Sequence, residues 1–390
     1  MAILDDMMNF GLSDDHKMVR QTTRDFAEKE LGPYVEELEE KGEYPIAAAG
    51  KLGELGMLGV TIDPKYGGAG MDYLSYGIIC EEIARVDWVT ASIVSVQNSL
   101  VNSVINSFGT EEQKQRFLVP LASGQRFAAA GLTEPRGGSD LVNLVTRATP
   151  TGDGYVLNGS KIFISHASFA DVYFVLATIN PELKHRGITA FVMFRDTPGI
   201  TVRTVPMRTL HRDNIGEIIF EEVKLGKDAV LGEEGRGFRV VGQALDNGRY
   251  SVAARGVGGG QACIEASVKY ANERVIGGQP IANYQLVQAK IADMVSSVHA
   301  ARLLVYQLGR MKDAHAPRTS LEASITKKFA TDTAFKCAVE AVEIHGGYGL
   351  AAEFPVGRYV LEAKALQTIE GTNDVHTTLI AEYALGIRKY

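Results

Sequence analysis

The chain has 390 residues, 45% of them hydrophobic and 22% charged, which suits a globular protein of about two or three domains with a large core. A net charge of -7 and the lack of any basic cluster exclude the footprint of a nucleic-acid binder. No stretch approaches the ~20 apolar residues of a membrane span. The acidic start, MAILDDMMNFGLSDD, reads as neither a secretory signal nor a transit peptide, so a cytoplasmic protein is expected. Cys80, Cys263 and Cys337 lie far apart in apolar, helix-like surroundings and read as buried free thiols; no metal site is expected.

The first third reads as helical. Ser13 is an N-cap candidate for a helix that Gly32-Pro33 should stop. Ile46 to Leu58, Tyr73 to Arg85 and Ser92 to Phe108 follow as helices, and Thr110 opens another. Lys65 to Gly70 is a turn-rich loop. From about residue 127 the pattern changes. Arg126 to Gly131 reads as a strand. Thr146-Arg147 through Leu157 reads as a hairpin bending at Gly152 and Gly154. Lys161 to Ser165, Val172 to Thr178, Thr189 to Phe194, Ile200 to Pro206 and Ile218 to Val223 are further short strands. Together they predict an antiparallel β domain, a barrel or sandwich. Helix returns in Phe238 to Leu245, Val252 to Asn272, Asn283 to Asp313, Leu321 to Ile344 and His376 to Gly386, as in an up-and-down bundle. The fold class expected is α+β: an N-terminal helical domain (1–126), a central β domain (127–234) and a C-terminal four-helix bundle (235–390).

Two stretches carry candidate chemistry. Gly256-Val257-Gly258-Gly259-Gly260 resembles a dinucleotide fingerprint, but helix precedes it where a strand is required. Small residues that let helices pack closely are the better reading. Near the end, Gln367-Thr368-Ile369-Glu370-Gly371-Thr372-Asn373-Asp374 sets one carboxylate among apolar and small residues. Desolvation would raise its pKa and suit it to be a general base. The plainer reading is a turn in which Thr372, Asn373 or Asp374 caps the last helix.

Gly131 to Asp140, Asn158 to Ser165, Leu231 to Phe238, Gly346 to Gly349 and Ile369 to Thr372, in this order and spacing, resemble the acyl-CoA dehydrogenase family over the whole chain. Gly131-Leu132-Thr133-Glu134-Pro135 with Gly138-Ser139-Asp140 looks like its first signature. Asn158 to Ser165 looks like the strand beside the flavin, and Leu231 to Phe238 like the entry to the bundle. Gly346-Gly347-Tyr348-Gly349 and Ile369-Glu370-Gly371-Thr372 look like the second signature and the catalytic turn. The resemblance implies α,β-dehydrogenation of an acyl-CoA thioester with FAD as acceptor, with Glu370 as the base. In the family the amide of that residue also donates to the thioester carbonyl. The alternative family base would stand at Gly248, where no carboxylate exists.

By the same resemblance Leu132, Thr133, Phe163 and Ser165 would contact the flavin, and Ser139 both its phosphate and CoA. Arg274 and Gln285 would reach the FAD of a neighbouring subunit. Glu343, Gly346 and Gly347 would lie at the pyrophosphate, with Thr372 and Asp374 as the remaining contacts. Departures from the family are Phe163 for Trp, Ser165 for Thr, Gly277 for an aromatic and Glu343 for Gln. Asp246 and Arg249 match positions on the CoA arm, although a helix salt bridge would also explain Arg249. Ser95, Ala91, Tyr348 and Gly371 match substrate positions, and Val89, Thr90 and Val94 join them as pocket candidates or plain core. The Ser95-Val96-Gln97-Asn98 stretch looks most like the glutaryl-CoA dehydrogenase branch. That branch has an Arg where this chain has Ala91, so a neutral short, branched or alicyclic acyl chain is expected. A glutaryl-CoA-type enzyme, an acyl-CoA oxidase and a non-catalytic acyl-CoA- or FAD-binding scaffold are the alternatives. Electron-transfer flavoprotein as partner and a homotetramer built as a dimer of dimers are also implied.

Overall fold

The computed structural model describes Asn9 and residues 11–210 and 212–388. Helix α1 (Asp14–Phe26) starts as expected: Ser13 Oγ accepts the His16 N–H at 3.2 Å, and His16 Nδ1 accepts the Ser13 N–H. Gly32-Pro33 does not stop it. A π-helical turn, Ala27–Leu31, widens the backbone so that the Gly32 N–H bonds Ala27 O, and α2 (Gly32–Lys41) continues. Pro33 then sits in a first turn, where its missing N–H leaves nothing unpaired. Next come α3 (Ile46–Glu54), α4 (Tyr73–Ala84) and α5 (Trp88–Ser95), which runs through a second π segment, Val96–Asn102, into α6 (Ser103–Phe108). This helix begins earlier than the periodicity suggested. The Asn98 and Asn102 amides donate to Met57 O at 2.9 Å and Leu58 O at 2.8 Å, satisfying backbone that loops past α3.

The middle of the chain forms β1 (Ala128–Gly131), β2 (Arg147–Pro150), β3 (Gly154–Ile164), β4 (Val172–Thr178), β5 (Ile188–Phe194), β6 (Ile200–Thr204) and β7 (Gly216–Gly226). They make one sheet in the order β1-β4-β2-β3-β7-β6, with β5 also on β4. The hairpin and Lys161–Ser165, expected as separate pieces, share the single strand β3, which is irregular between Leu157 and Gly159 and between Lys161 and Ile164. Nor is the sheet wholly antiparallel: β1 and β2 both run parallel to β4. In β4, Phe174 and Leu176 enter one core while Tyr173, Val175 and Ala177 enter another, which explains its unbroken apolar sequence.

Beyond the sheet, α7 (Gly237–Glu273) is one 37-residue helix rather than two. The expected segments Phe238 to Leu245 and Val252 to Asn272 both lie on it, and Asn247 and Gly248 between them are buried. A hairpin of β8 (Val275–Ile276) and β9 (Gln279–Pro280) turns at Gly277 and Gly278, with φ of +61° and +82°. The aromatic of the family pattern would be strained at Gly277: φ is left-handed, and a Cβ would lie 2.7 Å from the Tyr284 hydroxyl, which would have to shift. Then follow α8 (Gln285–Asp313), α9 (Ser320–His345), α10 (Val356–Thr368) and α11 (Asn373–Ala384). Helix α10 was not foreseen.

By contacts the chain forms two compact units: residues 1–36, 72–91 and 249–390, and residues 37–71 and 92–248. In the first, the glycines of α7 serve close packing. A Cβ on Gly258 would come 2.1 Å from Glu81 O, one on Gly259 2.1 Å from the Trp88 ring, and one on Gly260 2.7 Å from Val298. In the second, the sheet and the helices beside it share the core. The three cysteines are free and buried. Among the described residues no helix is long and apolar enough to cross a membrane.

Candidate active site

Glu370 stands in the turn between α10 and α11, at the unusual φ of +54°, and Gly371 follows at +88°. Thr372 caps α11 by accepting the Val375 N–H at 3.4 Å. The capping reading and the carboxylate reading of this stretch therefore coexist. Glu370 as a residue is half-buried, but its Oε2 is shut off from solvent without a hydrogen-bond partner. Burial pushes its carboxyl up to about 7, against the opposing pull of the Arg249, Lys327 and Arg255 cations.

Three groups around the turn were not found in the sequence. Lys327, on α9, has no exposed surface, and its Nζ donates to Gly371 O at 2.8 Å, Asn373 Oδ1 at 2.9 Å and Gln367 O at 3.2 Å. His376 is wholly buried, and its Nε2–H donates to Glu370 O at 3.2 Å. Burial, with Arg249 and Lys327 nearby, pushes the imidazole down to about 3 and keeps it neutral. Arg255, buried on α7, donates to Trp88 O at 3.1 Å. One available signal was Lys327 itself: it shares the buried side of α9 with Ala323, Ala330 and Ala334.

The other residues of the first unit divide between core and surface. Val89, Thr90 and Ala91 are core, and Thr90 Oγ1 donates to Asp87 at 2.6 Å. Arg274 lies 5.4 Å above the exposed Tyr348 ring. Gln285 is exposed at the start of α8, and Asp374 is exposed in the first turn of α11. Glu343 is exposed and ion-paired with Lys290, which also holds Glu340. At Gly346 (φ +61°) and Gly347 a Cβ would meet nothing within 4 Å, so this backbone is open to a bound group. Arg249 is half-buried.

In the second unit, Leu132 and Thr133 follow β1 and are fixed from behind. The wholly buried Lys161 donates to Glu134 Oε1 at 2.8 Å and to Leu132 O at 3.3 Å, and Thr133 O accepts the Ile162 N–H at 2.9 Å. Glu134 also accepts the Val145 and Thr146 N–H groups, at 2.6 and 2.8 Å. Phe163 is 57% exposed at φ +59°, a large ring held out of the sheet where β3 is irregular. Ser165 is half-buried and Ser139 exposed. Ser95 and Val94 are buried, and Asp246 is half-buried. In the first unit the open glycine backbone and Arg274 suit an anionic group. In the second the projecting Phe163 ring and the fixed Leu132-Thr133 loop suit a planar aromatic one.

Comparison with known proteins follows the same lines. Residues 13–125, 129–223 and 235–385 match the N-terminal, middle and C-terminal domains of acyl-CoA dehydrogenases. The short-chain-specific acyl-CoA dehydrogenase of Megasphaera elsdenii is 41% identical over 373 residues, 94% of this chain and 97% of that one. A glutaryl-CoA dehydrogenase solved with glutaryl-CoA superposes with a TM-score of 0.95 at 35% identity, covering 97% of each chain. A chain from a structural study of the electron transferring flavoprotein of Acidaminococcus fermentans superposes with a TM-score of 0.94 at 38% identity, covering 96% of this chain and 99% of that one.

Proposed function

The chain belongs to the acyl-CoA dehydrogenase family, a family of FAD-dependent oxidoreductases, and from that premise we propose that it dehydrogenates a short, neutral acyl-CoA at the α,β position with Glu370 as base. The observation that carries this reading is the Glu370 carboxylate, desolvated, unbonded at Oε2 and raised to about 7. A base with that affinity can take a weakly acidic proton near neutral pH and is not quenched by a fixed partner. His376 holds the backbone O of Glu370, whose N–H belongs to the preceding peptide unit. That N–H is proposed to bond the thioester carbonyl and stabilise the developing enolate.

FAD, when bound, supplies the hydride acceptor. Leu132, Thr133, Phe163 and Ser165 are proposed to hold its ring system. Ser139, Arg274, Gln285, Gly346, Gly347, Thr372 and Asp374 are proposed to hold its diphosphate and nucleotide parts, some of them across a subunit boundary. The pairing of Glu343 with Lys290 offsets the acid that departs from the family pattern. Asp246 and Arg249 are proposed for the CoA arm, and Ser95, Ala91, Tyr348 and Gly371 for the acyl end. The functional division 1–126, 127–234 and 235–390 is kept on the same grounds.

Two findings support the choice of acyl group. A relative of 41% identity is named as short-chain specific. Ala91 supplies no cation for a distal carboxylate, and burying one unpaired costs several kcal/mol. An electron-transfer flavoprotein as acceptor and a homotetramer in the cytoplasm complete the proposal. The test is anaerobic bleaching of the FAD-loaded protein by butyryl-, isobutyryl-, cyclohexanoyl- and glutaryl-CoA. Butyryl-CoA or another neutral ester should give the highest kcat/KM, and Glu370→Gln should keep FAD yet fail to bleach. An active Gln variant would remove the mechanism, and a preference for glutaryl-CoA would remove the specificity.

A further inference from the structure

The Glu370 turn is held by side chains. Its two successive carbonyls, Glu370 O and Gly371 O, are taken by His376 Nε2–H at 3.2 Å and Lys327 Nζ–H at 2.8 Å. Lys327 also reaches the last turn of α10 through Gln367 O and the first residue of α11 through Asn373 Oδ1. Three acceptors meet an ammonium with three N–H groups; a neutral amine has two and would strand one acceptor. The geometry therefore holds the charged form, although burial lowers the amine to about 7. Two neighbours on α9 extend the grip. The Asn373 amide donates to Thr331 Oγ1 at 2.9 Å and to Asp332 Oδ1 at 2.7 Å, and the Gln367 amide donates to the same Asp332 oxygen at 2.7 Å. One stretch of α9 thus clamps both ends of the turn.

We propose that Lys327 is a positioning residue for Glu370: its ammonium fixes the turn that carries the carboxylate and supplies a positive charge that favours the ionised base. This rests on the reading of Glu370 as the base. The charged groups that act on Glu370 are Arg249, Lys327 and Arg255, with the neutral His376 at its own carbonyl. Those that act on Lys327 are Glu370, Arg249 and Asp332. Loss of the Lys327 charge removes one of three cations that hold the Glu370 proton affinity down, so the working pH of the base must rise. A lysine that only supported the fold would lower the rate equally at every pH.

The experiment uses the full-length, FAD-loaded protein, comparing parent, Lys327→Met and Lys327→Arg. Anaerobic flavin bleaching by butyryl-CoA is followed from about pH 5.5 to about pH 9, and amide exchange of residues 367–373 is read by mass spectrometry. Lys327→Met should move the midpoint of the rate profile up by about one pH unit, lower the limiting rate ~10-fold with KM changed less than ~3-fold, and speed exchange in that segment. Lys327→Arg should keep the parent's midpoint while losing rate, since a planar fork cannot reproduce the three contacts. A parent-like midpoint in Lys327→Met, or unchanged exchange, overturns the proposal. If Lys327→Met does not load FAD, Asn373→Ala removes one acceptor and leaves the ammonium; faster exchange at 367–373 with a lower rate is expected, and parent-like values overturn the proposal. Bleaching by Glu370→Gln would instead sink the base assignment, which separates the two failures.

Discussion

Replacing Lys161 by Met should destabilise the second unit by about 3–5 kcal/mol, the usual consequence of breaking a buried ion pair from one side. Lys161 has no exposed surface and Glu134 only 4%, so neither charge can turn to water once its partner is gone. Burial alone would push the Glu134 carboxyl up, but the Lys161 charge, its hydrogen bond and the Val145 and Thr146 N–H groups outweigh this and hold it below the usual carboxylate range. For an acid lowered in the folded state, the stabilisation is complete at pH 7 and is lost as pH falls through the folded value. In Lys161→Met the carboxylate keeps two backbone donors and loses its cation, and Leu132 O loses its donor. Glu134→Gln in the same chain removes the stranded charge, but its single amide oxygen can accept only one of the two N–H groups, which the carboxylate takes with separate oxygens. The double variant should then recover only part of the loss, about 1 kcal/mol. Urea unfolding of the FAD-saturated proteins at pH 7 measures both. Weaker FAD binding, about tenfold, should accompany Lys161→Met because the loop of Leu132 and Thr133 is released. A loss under ~1 kcal/mol, or additive single effects, would refute the account of this pair.

Bleaching by butyryl-CoA should rise with pH through about 7 and level off above it, because Glu370 accepts a proton only when ionised; a profile flat from pH 5 upward would contradict the raised carboxyl. Gly259→Ala drives a methyl to 2.1 Å from the buried Trp88 ring, and thermal unfolding should show a loss of about 1–3 kcal/mol. Glu343→Gln should change stability by less than ~0.5 kcal/mol, since the pair it breaks is exposed and Lys290 retains Glu340. Direct titration of that variant with FAD should show equal or slightly tighter binding.

Helix caps and β alternation were legible because they are local. Ser13 and Thr110 both cap as their side chains dictate, and the strands of the sheet lie close to the runs of alternating or continuous apolar residues. The π turns at Ala27–Leu31 and Val96–Asn102 were not legible, because an extra residue in a helical turn follows from what the helix must reach elsewhere, as Asn98 and Asn102 do. The gap between the expected segments ending at Leu245 and starting at Val252 is helical because burial of Asn247 and Gly248 outweighs their low helix propensity. Helix α10 has buried Val356, Tyr359, Ala363 and Leu366 at helical spacing, but polar residues between them and the nearby Pro355 mask the pattern in the sequence. At the site, Glu370 could be singled out from its short local motif. Lys327 could not, since beside Lys328 it resembles a solvated pair; only its alignment with alanines along one side of α9 gives it away.

Glu370 occupies backbone geometry that favours glycine, and it carries a charged group where water is excluded. Glu370→Gly would relax the dihedral and delete the stranded oxygen, so a chain lacking the proposed base should outlast its parent on heating. Screens for thermal endurance alone would therefore select against turnover at this position, and libraries meant to harden the enzyme should hold it fixed.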